Sequence, residues 1–282
     1  MQRQAFVLVG TVKMVQGNSE TVKEWWKNGT VKEWYSENGL KMNWNKTQCI
    51  RFATTNFNKR TETFQITIDD TVRQMEYKVK NTGVIFDIPL SFEHHIESLC
   101  SRLNGTLSYQ KRVKNTLDQK SRILLINALI FSHLNYCSSI WGKCSEKLQH
   151  KVQKCITFAA KVGSNGKYLK RDHVTPLLRD LKWINFNSIL RLNETSFMYK
   201  NLYVSADSNV KKINFDLRNN VSQRITWNGS DVHIDYRRTA VGQKAVSVSG
   251  AKLWNSIPMN IRNSNTIVTF KSHMYQHLLE HK

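Results

Sequence analysis

Residues 83–107 read GVIFDIPLSFEHHIESLCSRLNGTL, and the hydrophobic period changes inside them. Gly83 to Asp87 form a short apolar run of strand type, ended by Pro89, which cannot donate to a ladder. From residue 91 the apolar residues Ile96, Leu99, Leu103 and Leu107 recur at intervals of three and four, the period of a helix with one buried face. Several runs upstream are strand-like in the same sense, within a first ~90 residues that read as α+β. Phe64-Gln-Ile-Thr-Ile-Asp69 alternates and runs into a turn at Asp69-Asp70-Thr71. Cys49-Ile-Arg-Phe52 is another β-like run, and Leu40, Met42 and Trp44 alternate with polar residues after the turn signal Asn38-Gly39.

Downstream, helical spacing recurs, apart from a polar, Asn- and Val-rich stretch that runs to about residue 235. Asp118 is placed to cap a helix carrying Ile123, Ile126, Ile130 and Leu134. Ser145 is placed to cap the next, with Leu148, Val152, Cys155, Ile156 and Ala159 inward. Residues 183–203 predict a helix with Phe186, Ile189, Leu190 and Phe197 inward, and a last amphipathic helix carries Phe270, Met274 and Leu278. The fold class is therefore α+β: short antiparallel sheet, then a mainly helical bundle, then a mixed C-terminal region. The expected divisions are 1–90, 91–180 and 181–282. Near-identical copies TVKEWWKNG and TVKEWYSENG at 21–39 are too few for a solenoid and indicate a local duplication or one Trp-faced helix.

Charge narrows the partner. Forty-two Lys and Arg against 21 Asp and Glu give +21, a self-repulsion that a polyanion relieves. The excess is concentrated in residues 93–171, where 14 bases face four acids. Lys147, Lys151, Lys154 and Lys161 recur at spacings that align them along one helical side. A solvated face is the ordinary meaning of such a stripe, but without acids to balance it phosphate binding is the better reading. Arg237 and Arg238, in a basic and aromatic stretch near the C-terminus, are a second candidate contact. No run approaches the ~20 apolar residues of a membrane span, and Ala5–Val9 is too short for a signal sequence. Five cysteines without paired spacing suit a reducing compartment. The expected location is intracellular, nuclear or cytoplasmic.

Other motifs carry less. His133, Cys137, Cys144 and His150 match no standard zinc spacing and lie among core-like residues. Gly163-Ser-Asn-Gly-Lys167 is two residues short of a phosphate loop and is expected to be a turn. Lys46-Thr47 could be a chemical lysine or a solvated loop lysine, and spacing alone favours the second.

Four segments then occur in one order: WYSENGLKMNWNKT, NTGVIFDIPLSFEHHI, LINALIFSHLNYCSSIWG and SGAKLWNSIPMNI. Together they resemble the C-terminal half of reverse transcriptases from non-long-terminal-repeat (LINE-type, jockey-like) retrotransposons, from about residue 30 onward. The resemblance implies that residues 1–90 are the end of a palm, 91–180 a thumb and 181–282 a C-terminal extension. It implies that Lys46 is the relic of the palm lysine near the incoming nucleotide. Gly83, Val84, Ile85 and Asp87 would belong to a primer-grip-like hairpin, with Thr82 in place of the family's leucine. The family holds two Mg²⁺ ions with aspartates, one pair in a [YF]-x-D-D turn. Here Val9 and Gly10 stand at about that place, and the first acid of the chain is Glu20. The expectation is a truncated, catalytically inactive fragment without a cofactor that still binds RNA or DNA with little sequence preference. The alternative is a host-adopted nucleic-acid-binding module, or a structural or assembly protein.

Overall fold

A computed structural model describes residues 37–39, 48–52, 76–166, 173–203, 215–221 and 230–280, with the backbone alone of strands at 5–9, 13–16, 65–68 and 71–74. The alternating run 40–45, Gly10, most of the duplicated Trp segment and Lys46 lie outside the described residues. The chain divides into two compact units, Met1–Ser98 and Leu99–Lys282.

The first unit is built from hairpins. β1 (Ala5–Val9) pairs antiparallel with β2 (Lys13–Gln16) on one side and with β3 (Gln48–Phe52) on the other. In the second pairing Val9 sits opposite Gln48. β4 (Gln65–Ile68) pairs with β5 (Thr71–Gln74), and β6 (Lys78–Asn81) with β7 (Val84–Asp87). The β6–β7 loop is only Thr82 and Gly83, with φ of 43° and 87°. Both residues at positive φ is the requirement of the tight turn whose twist matches the strands, and glycine supplies the second at little steric cost. Ile50, Val79 and Ile88 form a small core against which Phe52 packs, and Phe86 meets both Phe52 and Phe92 edgewise or tilted.

The strand-to-helix switch at 83–107 is where the period placed it. Asp87 organises the change: one carboxylate oxygen accepts the Phe92 N–H at 2.9 Å and the other accepts the Ser91 hydroxyl. Leu90 and Phe92 both lie at positive φ in that turn, so the carboxylate holds a backbone that side chains ordinarily avoid. Helix α1 (Glu93–Arg112) follows, with Ile96, Leu99, Leu103 and Leu107 all buried.

The second unit continues with α2 (Gln119–Ile126), a π-helical turn at Asn127–Phe131, α3 (Ser132–Asn135) and α4 (Ser138–Trp141). Asp118 caps α2 as expected, accepting N–H groups of Lys120 and Ser121. Ile126, Ile130 and Leu134 are buried as predicted, but Ile123 is only half-buried, and the neighbouring Arg122 is buried. Helix α5 (Glu146–Gly163) has Ser145 at its N-cap position, where only the backbone serves: Ser145 makes no side-chain cap bond. Its predicted inner face is buried throughout. The loop that follows, Ser164–Gly166, is a bend rather than a helical start, and Lys167 lies outside the described residues.

After α6 (Val174–Asp180) comes α7 (Phe186–Tyr203). The helix expected from 183 starts three residues later, Trp183 and Ile184 packing as buried extended chain instead. Phe186, Ile189 and Leu190 face inward as expected, whereas Phe197 is half-buried and Met198 and Tyr199 take the core positions. The reason is that α7 is covered both by α4 and α5 and by the later helices at Val246–Asn255 and Ile267–Glu280. The remaining short helices are α8 (Arg218–Val221), α9 (Ala240–Lys244), α10 (Val246–Asn255) and α11 (Met259–Arg262), before the terminal α12 (Ile267–Glu280). Phe270, Met274 and Leu278 are the buried stripe of α12.

Two of the segments that carry the family resemblance have plain packing roles. In the SIWG segment, Trp141 is fully buried, donates its indole N–H to the Tyr136 carbonyl at 2.8 Å and stacks on Phe186. A β-carbon on Gly142 would lie 2.2 Å from Leu190 and 2.6 Å from the Ser138 carbonyl. In the GAKLW segment, Trp254 stacks on Phe270, with Tyr199 against both rings. Gly250 lets α10 approach α7 until its missing β-carbon would touch the Met198 sulfur at 3.0 Å. The chain is therefore α+β, antiparallel hairpins followed by a helical bundle.

Candidate nucleic-acid interface

Helix α5 separates its residues cleanly. The inner side is Leu148, Val152, Cys155, Ile156, Ala159 and Ala160. On the opposite side, Lys147 and Lys154 are exposed and Lys151 and Lys161 half-buried. At 1.5 Å rise per residue the four lysines span ~21 Å. His150 and Phe158 fall within the same stripe, and no Asp or Glu occurs between Glu146 and Asp172. Long cations on a helix flank ordinarily lay their stems along apolar surface.

The structure also removes several bases from the count. Arg122 spends its guanidinium on main-chain carbonyls: Nη1 donates to Lys114 at 2.9 Å and Leu117 at 2.8 Å, and Nη2 reaches the Asn165 side chain and the Ser164 carbonyl. Lys114 donates to the Lys161 carbonyl at 3.0 Å. Burial, with Arg122 alongside, holds the Lys114 ammonium below its ordinary pKa. Both cations thus close the C-terminal end of α5, where the helix dipole and orphan carbonyls favour positive charge. Lys143 is bound to Glu194 and Ser249, whose hydroxyl donates to Glu194 at 2.8 Å. Sequence periodicity has no signal for these, because apart from the nearby Lys114 and Leu117 carbonyls the partners lie 42 to 106 residues away.

Arg237 and Arg238 are exposed, and Arg237 is paired with Asp235 at 3.1 Å. Asp231 meanwhile takes Arg262 at 2.9 Å and Arg218 at 4.0 Å. The C-terminal bases are therefore partly neutralised by local acids.

In the hairpin that the resemblance links to a primer grip, Val84 is buried, Ile85 donates its N–H to His95 at 3.4 Å, and Asp87 is committed to the turn. Val9 ends β1, one strand away from the segment that follows Lys46. Among the described residues there is no group of three or more His, Cys, Asp or Glu able to hold a metal. Burial pushes the Cys144 thiol up to about 11 and lowers His133, which also faces Arg102. On the inner side of α5 the free thiols of Cys155 and Cys100 share a hydrogen bond, which holds Cys100 below and Cys155 above the usual thiol range. Among the described residues, no helix is long and apolar enough to cross a membrane.

No protein-family model, curated protein or solved structure matches the chain.

Proposed function

We propose that the chain is a nucleic-acid-binding protein of reverse-transcriptase descent, without polymerase activity of its own, and that α5 supplies the contact. The observation that carries this reading is the acid-free lysine face of α5, four cations over ~21 Å opposite a fully apolar side. A row of this kind neutralises successive phosphates and releases their counterions. It reads no base edges, so binding is expected to be largely indifferent to sequence. RNA and DNA are both within its chemistry.

The ancestry rests on the ordered motifs, and the hairpin arrangement supports it. β1, which ends at Val9, pairs antiparallel with β2 and with the strand that begins at Gln48, two residues after Lys46 in sequence. The bound Mg²⁺ of such enzymes would neutralise triphosphate charge, and Val9 and Gly10 offer it no carboxylate. The test has two arms. Fluorescence anisotropy with several unrelated oligonucleotides should show a uniform loss of affinity in Lys147→Glu/Lys151→Glu/Lys154→Glu. Primer extension with Mg²⁺ should show no template-dependent incorporation. Sequence-selective loss in the first arm, or chelator-sensitive synthesis in the second, overturns the respective part.

A further inference from the structure

The lysines of α5 are interleaved with rings. His150, Lys154 and Phe158 stand four residues apart and so form one row along the helix. At 3.6 residues per turn, Lys147, Lys151 and Lys161 fall with them inside about 100° of the helix circumference. His150 is exposed and Phe158 half-buried. These are the two ring-bearing residues of α5, and both lie on the lysine flank. The buried side of the same helix is made of Leu148, Val152, Cys155, Ile156 and alanines, without a ring. Along the axis the two rings are ~12 Å apart, with Lys151 and Lys154 between them.

From this placement we infer that the nucleic acid held on α5 is single-stranded, with bases stacked on Phe158 and His150 and phosphates on the lysines between them. The inference rests on the reading of α5 as the contact and names the form of its ligand. A row of lysines alone serves a duplex and a single strand alike, because both offer phosphates. Rings distinguish them. In a duplex the bases stack on one another and present only their edges in the grooves, so a phenyl ring at the contact finds no base face to cover. A single strand exposes those faces, and basic grooves that hold single strands combine cations with aromatic platforms for this reason. The spacing agrees. Neighbouring bases of a duplex strand rise by ~3.4 Å, far less than the ~12 Å between the rings, so bases on both platforms belong to a strand that is drawn out along the helix. Every base has a π-face, so stacking is tolerant of base identity, in keeping with the weak sequence preference expected of this face.

Fluorescence anisotropy of the full chain with a labelled single strand and with the duplex of the same sequence, both at about 0.15 M salt, reads the preference. The single strand should bind about tenfold or more tightly. Phe158→Leu keeps an apolar side chain and removes the ring. It should weaken single-strand binding about tenfold, leave duplex binding as it was, and leave the salt slope unchanged because no charge is lost. Phe158→Trp, which keeps a stacking surface, should retain single-strand affinity, a rescue that a purely packing role does not predict. His150→Ala should shift single-strand binding in the same direction as Phe158→Leu. Circular dichroism checks that the variants fold. Equal affinity for the two forms, a Phe158→Leu chain that binds the single strand as the wild type does, or one that weakens on both forms alike overturns the inference. If Lys147→Glu/Lys151→Glu/Lys154→Glu loses binding while Phe158→Leu does not, the contact on α5 stands and the single-stranded form falls. If that triple variant binds as the wild type does, the contact itself falls and this inference with it.

Discussion

At the scale of single residues, charged and polar side chains fall into those that build the fold and those left to act. Asp118 belongs to the first group. Its carboxylate is held below its ordinary pKa by the Ser121 hydroxyl and by the N–H groups of Ser121 and Lys120. A depressed carboxylate stabilises the fold above its unfolded pKa, and that contribution is lost as pH falls through the lower folded value. Asn caps equally well without titrating. Asp118→Asn should therefore match the wild type near neutrality and show a smaller loss of stability as pH falls below the ordinary carboxylate range, measured by urea unfolding. Arg122 and Glu194 illustrate what the sequence conceals. Each sits within a helix where charge normally marks the wet side, yet each is buried with partners from distant elements. A buried charge is legible only once its partners are known, and a helical period says nothing of them.

At the scale of elements, the period did most of the work. The buried stripes of α1, α5 and α12 follow from three- and four-residue spacing alone. It failed where an element is covered on two sides, as in α7, or where the helical repeat itself changes, as in the π-helical turn beside Ile126. Neither condition leaves a mark in one segment's own sequence. The turn from α4 to α5 shows how tightly elements meet. Gly142→Ala forces Leu190 aside and presses on the Ser138 carbonyl, and should cost about 1–3 kcal/mol of stability. Urea unfolding of this variant beside Gly105→Ala, where the added β-carbon meets nothing within 4 Å, isolates the packing effect. Equal midpoints for the two would show that the close α4–α7 approach is not needed.

At the scale of the whole molecule, the two units are built differently. The described strands of the first form one three-stranded and two two-stranded sheets, and a two-stranded hairpin is only marginally stable by itself, while the second buries helical stripes from α5, α7, α10 and α12. Limited proteolysis should accordingly leave a fragment that starts near residue 91. The cut is expected before Glu93, because α1 runs unbroken across the boundary at 98. Equal survival of both units would contradict this. The central claim, that the lysine face of α5 meets phosphates, is tested most directly by the salt dependence of binding. Log affinity should fall with log salt at a slope of roughly −0.7 to −0.9 per phosphate contact. Lys147→Glu/Lys151→Glu/Lys154→Glu should flatten that slope by about two to three, equally for every oligonucleotide. An unchanged slope in the triple variant would contradict the account and move the contact away from α5.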